Sequence, residues 1–236
     1  MAKTKQIGFF RRLRRWLIRL TLLWLVVTLM GVLSLRWFNP PTTAFMLQRA
    51  YGDAHPATEL RHQWRDLAAI NPALAMSVIA AEDQKFADHW GFDVAAIQQV
   101  LEDRQAGKSM RGASTISQQL SKNLFLWPGR SWLRKGLEVY FTAAIESLLP
   151  KRRILELYLN LVEFGDGIYG AEAAAQSIFG VSATALTAQQ SALLAARLPA
   201  PKTYAINPPS AYMQQRARWI QQQIKQLGSE AYLDQL

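Results

Sequence analysis

The chain contains no cysteine, so a disulfide framework, a thiolate nucleophile and thiolate metal ligation are all excluded. Histidine is nearly as scarce: His55, His62 and His89 are the whole complement, at separations that match no metal-ligand spacing, which argues against a zinc chemistry. Long alternating runs of Val, Ile and Tyr bounded by turn residues are missing too, so a strand-built core is not expected. There is no internal repeat, and no low-complexity tract beyond the basic N-terminus. Acidic residues are absent from the first 36 positions, which hold eight Lys and Arg. The formal charge of +10 less those eight leaves only +2 for the rest of the chain. The positive charge is therefore local, and the spread of basic residues that nucleic-acid binding requires is not present.

What the N-terminus does have is an apolar run. From Leu20 to Leu35 no side chain is charged, and Trp16, Trp24 and Trp37 lie within or beside it, where interfacial aromatics are common. Sixteen residues are short for a bilayer, but Leu17, Ile18, Trp37 and Phe38, with snorkelling by Arg19 and Arg36, extend the span to about 20. Lys3, Lys5, Arg11, Arg12, Arg14, Arg15 and Arg19 precede it, which predicts a cytoplasmic N-terminus and an outward-facing remainder from about residue 40. No small-residue cleavage site follows, so the segment reads as an uncleaved signal anchor. The resulting division is a basic tail over 1–18, a transmembrane anchor over 19–38, a juxtamembrane linker over 39–56 that opens on Asn39-Pro40-Pro41, and one domain over 57–236.

Helical periodicity dominates that domain, and the expected fold class is all-α. Helices are predicted over 57–70, 73–88, 94–105, 114–125, 131–149, 151–162, 171–179, 187–197 and 209–227. Pro72 and Pro150 mark helix starts, Thr187 with Gln190 forms a candidate capping box, and Gly180 and Pro199 mark stops. The small polar stretch from Ala106 to Gly112 reads as a loop between two motif-bearing helices, placed to act as a flap or as a plain surface connection.

Glu82 is the first charge after the apolar run Met76–Ala81, so a carboxyl of raised pKa suited to general-base work is expected there. On a helix continuing to Asp88, Glu82, Phe86 and His89 would share one face. Thr115, Gln118, Gln119 and Lys122 fall at i, i+3, i+4 and i+7, a polar stripe that would line a sugar or phosphate groove, although Thr115 and Gln118 also fit a simple capping box. A second acid, Glu138, lies one turn after Arg134 and Lys135, with Arg130 nearby. That cluster is either an ordinary surface ion pair or a set of cations for a pyrophosphate. Phe125, Trp127 and Trp132 in the same stretch suit either the core or a membrane edge. Gly165 to Gly170 matches G-x-G-x-x-G, but it follows a helical segment and no acid lies between Glu172 and Glu230 to hold a ribose, so a dinucleotide site is rejected.

Five ordered blocks, Glu82–Asp93, Gly112–Asn123, Arg134-Lys135 with Glu138, Lys151–Asn160 and Gly165–Gly180, closely resemble the peptidoglycan glycosyltransferases, over roughly residues 70 to 210. The resemblance implies a lysozyme-like, two-lobed helical domain that polymerises lipid II into β-1,4-linked glycan strands with inversion and release of undecaprenyl pyrophosphate. It implies Glu82 as general base for the acceptor hydroxyl, and Glu138 as a second acid assisting departure of the carrier directly or through a divalent metal, magnesium or manganese. No tightly bound cofactor is implied. Lys122, Arg130, Arg134 and Lys135 resemble the pyrophosphate-holding residues. Asp83, Phe86, His89, Thr115, Gln118, Gln119 and Asn123 match positions that shape the cleft. Ile178-Phe179 departs from the Tyr-Phe of many relatives, and only a packing difference is expected. With no further domain after Leu236, the chain resembles the monofunctional type, anchored in the bacterial inner membrane with its domain on the periplasmic face. Its expected partners are lipid II, the growing strand, the bilayer and cell-wall synthase or division proteins, with no nucleic acid. A muramidase on the same fold and a non-catalytic tethered scaffold are the rival readings; the cations around Glu138 weigh against the first, since hydrolases need no phosphate-binding charge.

Overall fold

The computed structural model describes residues 2–52, 59–107, 112–129 and 131–236, with side chains from residue 11 onward. His55, Arg130 and the centre of the expected 106–112 flap lie outside the described residues. In chain order the elements are α1 (Ala2–Ser34), α2 (Ala44–Tyr51), β1 (Arg61–His62), α3 (Pro72–Glu82), α4 (Val94–Gln105), α5 (Ile116–Phe125), α6 (Trp132–Leu148), α7 (Lys151–Leu161), β2 (Glu163–Gly165), β3 (Ile168–Tyr169), α8 (Ala171–Phe179), α9 (Ala188–Arg197) and α10 (Ala211–Gln226). Short 3-10 turns cover Leu67–Ala69, Ala183–Ala185 and Ser229–Gln235. The domain is all-α apart from one small sheet, and an apolar helix precedes it.

Within α1 the stretch Arg11–Ser34 is long and apolar enough to cross a membrane. Its 24 residues span about 36 Å at 1.5 Å each. Its C-terminal end docks on the domain. Val32 and Leu35 are buried, the Trp24 and Tyr140 rings lie 5.0 Å apart, and the Thr28 and Tyr140 hydroxyls share a 2.7 Å hydrogen bond. Arg153 donates to the carbonyls of Leu35 (2.8 Å) and Phe38 (3.2 Å) and to Asn39 Oδ1 (2.7 Å). A cation at a helix C-terminus satisfies open carbonyls and opposes the negative end of the dipole.

Three expectations need correction. The linker contains a helix, α2, because the Thr43 hydroxyl accepts the Met46 N–H and Met46 is buried. The helix expected over 57–70 is replaced, where described, by β1 and a 3-10 turn, since β1 pairs in parallel with β3, itself antiparallel to β2. Pairing with a distant strand has overridden local propensity. The helix expected over 73–88 stops at Glu82: at Asp83 the backbone leaves helical geometry, and the Asp83 carboxylate accepts the Ile116 N–H (3.0 Å) at the start of α5. The helices from α4 to α10 otherwise start and end within about two residues of the predicted ones. Pro72 occupies the first turn of α3, Gly180 closes α8 in a left-handed conformation, and Thr187 and Gln190 form the expected capping box.

The G-x-G-x-x-G segment does follow a strand, contrary to the sequence reading, but β2 turns directly back into β3, so the segment does not open the helix of a βαβ unit. Gly170 has a different purpose. At φ +85° any added Cβ would lie 2.5 Å from the Asn160 carbonyl, so the hairpin can press against α7 only with glycine there.

α3 is the centre of one helix group, packed on α9 and α10, while α5 joins α6 and α7 in the other, and one continuous core runs through both. Leu74, Met76, Val78 and Ile79 of α3 are wholly buried, which explains why its apolar residues show no amphipathic stripe. The core also buries Glu172, which accepts from Arg65 (3.1 Å), the Ala183 N–H (2.9 Å) and Gln176 (2.5 Å). Burial alone would raise this carboxyl, but these donors hold it below the ordinary value. Asn160 exchanges two 2.8 Å hydrogen bonds with the backbone of Arg65, fixing the chain as it enters α3.

Candidate active site

α3 delivers Glu82 as its last residue, half-buried, at the junction of the two helix groups. Its Oε2 accepts from Gln119 Nε2 at 2.7 Å, and Gln119 Oε1 accepts from the Tyr158 hydroxyl at 2.8 Å. Tyr158 is fully buried, which pushes its phenol well above the usual range and keeps it a donor. The phenol therefore fixes the Gln119 amide with its NH2 towards Glu82. Burial raises the Glu82 carboxyl, a trend that the Gln119 hydrogen bond and the positive charge of Arg216 moderate. A carboxyl of this kind takes up a proton more readily than an exposed one, as a general base requires.

The residues just after Glu82 do not continue its helical face. Phe86 is fully buried, and His89 turns back so that its Nε2 lies 2.8 Å from Asp83 Oδ1. Its Nδ1 accepts the Gly91 N–H (3.1 Å), so the proton sits on Nε2 and is donated to Asp83. Lys151 Nζ donates to the His89 carbonyl (2.6 Å) and to Glu146 (2.9 Å), and stands 4.6 Å from the Phe86 ring centroid. Glu146 also accepts from the Ser117 hydroxyl. Thr115 and Gln118 form the capping box of α5, and the Thr115 hydroxyl donates to the Gly91 carbonyl (2.7 Å). Asp83, Phe86, His89, Thr115 and Gln118 thus form a packed support under Glu82; of the predicted stripe, Gln119 reaches the carboxylate directly.

Glu138 lies in the middle of α6, 4% exposed. Arg134 donates to its Oε2 at 2.8 Å and Lys135 to its Oε1 at 2.5 Å. The Arg134 Nε is buried with no partner among the described residues. Lys122, one turn after Gln119 on α5, bridges the two acids electrostatically. Burial lowers its ammonium pKa, Glu138 and Glu82 raise it, and Arg134 and Lys135 lower it further. Its Nζ is 5.6 Å from the Phe45 ring centroid on α2. Asn123 is half-buried beside it. Trp127 and Trp132 are exposed near the start of α6, whereas Phe125 stacks on Phe141 at 4.4 Å.

A cavity of about 580 Å³ opens on Glu82, with Gln119 on one wall and Tyr212, Arg216 and Trp219 of α10 on the other. The Arg216 guanidinium lies 4.1 Å from the Trp219 ring centroid and its NH2 is 3.5 Å from the Ala81 carbonyl. Sequence reasoning missed this wall. The available signal was position: Arg216 lies three residues after Met213 and four before Ile220, both buried, so an arginine borders the apolar stripe of α10. Another cavity, of about 560 Å³, opens beside Ala73 and Ser77 at the far end of α3, away from both acids.

The donor set does not suit a divalent metal. Both Glu138 oxygens are engaged by cations, with Lys122 close by, and no group of three His, Asp or Glu with metal-binding geometry occurs among the described residues.

Residues 50–225 match the family model described as Transglycosylase. A protein of Ectopseudomonas mendocina called biosynthetic peptidoglycan transglycosylase is 55% identical, over 96% of this chain and 94% of its own. Proteins of the same description from Stutzerimonas stutzeri and Shewanella oneidensis are 55% and 51% identical, covering 95% and 92% of this chain and 95% and 94% of theirs.

Proposed function

The chain belongs to the transglycosylase family, and from that premise we propose that it is a peptidoglycan glycosyltransferase that polymerises lipid II. The single observation that carries the reading is the arrangement of charge: a carboxyl of raised pKa on one side, a cation-flanked acid on the other, and Lys122 between them.

In the proposed reaction Glu82 accepts the proton of the acceptor sugar's 4-hydroxyl as that oxygen attacks the donor's anomeric carbon. The bond from this carbon to the pyrophosphate oxygen breaks from the opposite face, giving a β-1,4 link by inversion. Charge builds on the departing pyrophosphate, and fixed cations stabilise it without reorganisation. Lys122 and Arg134, with its uncommitted Nε, are suited to that task. Glu138 orients Arg134 and Lys135 towards it. No step is assigned to a metal.

The anchor fits a lipid-linked substrate, which does not have to leave the bilayer to reach a tethered enzyme. The basic flank of α1 supports a cytoplasmic N-terminus with the domain on the outer face of the inner membrane, and exposed Trp127 and Trp132 suit the interface.

Incubating the detergent-solubilised full chain with lipid II tests the proposal. Glycan polymer and released undecaprenyl pyrophosphate are expected. Cleavage of preformed glycan instead would indicate a muramidase, and no turnover of either would indicate a scaffold.

A further inference from the structure

Beyond residue 225, where the family match ends, the 3-10 turn Ser229–Gln235 folds back against α3. Tyr232 in this turn is only 5% exposed, and its hydroxyl meets the loop that follows Glu82 at two points. It accepts the Ala87 N–H at 2.9 Å and donates to the Gln84 carbonyl at 3.2 Å. The Gln84 side chain adds a second tie, donating to the Ala80 carbonyl (3.1 Å) and to Gln223 of α10 (3.2 Å).

This loop leaves α3 at Asp83 and must bring Phe86 into the core and His89 back to the Asp83 carboxylate. Within it the described backbone bonds are two short turns, Phe86 N–H to Asp83 O (3.1 Å) and Asp88 N–H to Lys85 O (2.9 Å), with the Asp83–His89 side-chain pair closing its ends. A segment with so few internal constraints takes its shape from what holds it outside. Burial raises the Tyr232 phenol, so it remains protonated and keeps both roles, donor to Gln84 and acceptor from Ala87.

We propose that Tyr232 is a positioning residue for glycosyl transfer: its hydroxyl staples the 83–89 loop and so holds Glu82 and the Asp83–His89 pair in reactive geometry. This rests on the transferase reading above. Tyr232 thereby acts on the site through the loop that it holds, by its hydroxyl alone. Because reacting groups displaced by about 1 Å can lose 10²-fold in rate, a loosened loop affects turnover before it affects substrate binding.

The test is Tyr232→Phe in the full-length protein, which keeps the ring and its packing and removes only the hydroxyl. With lipid II, kcat is expected to fall about tenfold to a hundredfold with KM within about twofold of wild type. Hydrogen exchange of the Ala87 amide is expected to accelerate. Leu233→Ala, in the same turn but outside the staple, is the control for simple destabilisation, with a lowered Tm and kcat within about twofold of wild type below its transition. Unchanged kcat in Tyr232→Phe, or equal kcat losses in the two variants, would overturn the proposal. Failure of the wild-type protein to polymerise lipid II would instead overturn the transferase reading; the Ala87 exchange rate then judges the staple alone, and an unchanged rate would reject it.

Discussion

Replacing Glu82 with glutamine separates the chemistry of the site from its stability. The substitution keeps shape, and Gln119 Nε2, 2.7 Å from the present carboxylate oxygen, can donate to the new amide oxygen. What is lost is the proposed proton acceptor. Loss of a general base removes typically about 10²–10⁴ in rate, or roughly 3–5 kcal/mol of transition-state stabilisation. The stability effect has the opposite sign. Burial raises the folded-state pKa of Glu82 above its unfolded value, so the folded protein holds the proton more tightly. That favourable contribution is complete below the unfolded carboxylate range, near about pH 4, and is lost as pH rises through the folded pKa. At pH 7 the half-buried charge therefore weakens the fold. Glu82→Gln should be more stable than wild type there by about 0.5–2 kcal/mol, the usual scale of stability traded for function, and a gain of 1 kcal/mol moves Tm by about 2–4 °C. Thermal unfolding of both proteins at pH 7 and pH 4, beside a lipid II polymerisation assay, measures both effects. The stabilisation should shrink at the lower pH. A variant that polymerises within tenfold of wild type, or one less stable than wild type at pH 7, would refute the reasoning.

The same isosteric change at Glu138 should act differently. Glu138→Gln leaves Arg134 and Lys135 without their counter-charge, so kcat should drop about 10²–10³-fold and thermal stability should fall by about 1–3 kcal/mol at neutral pH. Glu172→Gln, remote from the acids, should leave kcat per folded molecule unchanged while lowering stability by about 2 kcal/mol at pH 7. Because the Glu172 pKa is depressed by folding, that difference should be present above the unfolded carboxylate range and vanish as pH falls through the folded pKa, which unfolding curves from pH 7 down to pH 3 would display. Tyr140→Phe removes the 2.7 Å hydrogen bond to Thr28, and a loss of about 1 kcal/mol with polymerisation near the wild-type rate is expected from unfolding and activity measured in the same detergent.

Local signals in the sequence were enough wherever a helix carries its own start and stop. Thr115 with Gln118, Thr187 with Gln190, Pro72 and Gly180 each act within one turn, and those boundaries were legible. The errors lie where distant residues decide. Val94 to Gln105 could be read from its own residues, but the end of α3 could not, because Asp83 is drawn away by the Ile116 amide and by His89. Likewise 61–62 becomes a strand only because Ile168 and Tyr169 are present to pair with it. In the site, Glu82 and Glu138 stood out as acids emerging from apolar or basic surroundings, a local property. Arg216 and Tyr232 did not, since their significance comes wholly from packing against residues about 130 to 150 positions earlier.

α5 sets the spacing between the two charged halves. Gln119 binds Glu82, and Lys122, three residues on, feels both Glu82 and Glu138, so the step from the Glu82 contact to the shared cation is set by about 4.5 Å of helical rise instead of by a flexible loop. The helix itself is held at successive levels: Ile116 N–H to Asp83, the Thr115 hydroxyl to the Gly91 carbonyl, Ser117 to Glu146, and Ser121 to Thr142 at 2.9 Å. Two of these ties lead to the Glu82 loop and two to α6, which carries Glu138. Any shift of α5 therefore moves the amide bound to Glu82 and the ammonium that feels both acids together, and on the proposed reaction loosening either group of ties should disturb both of its halves.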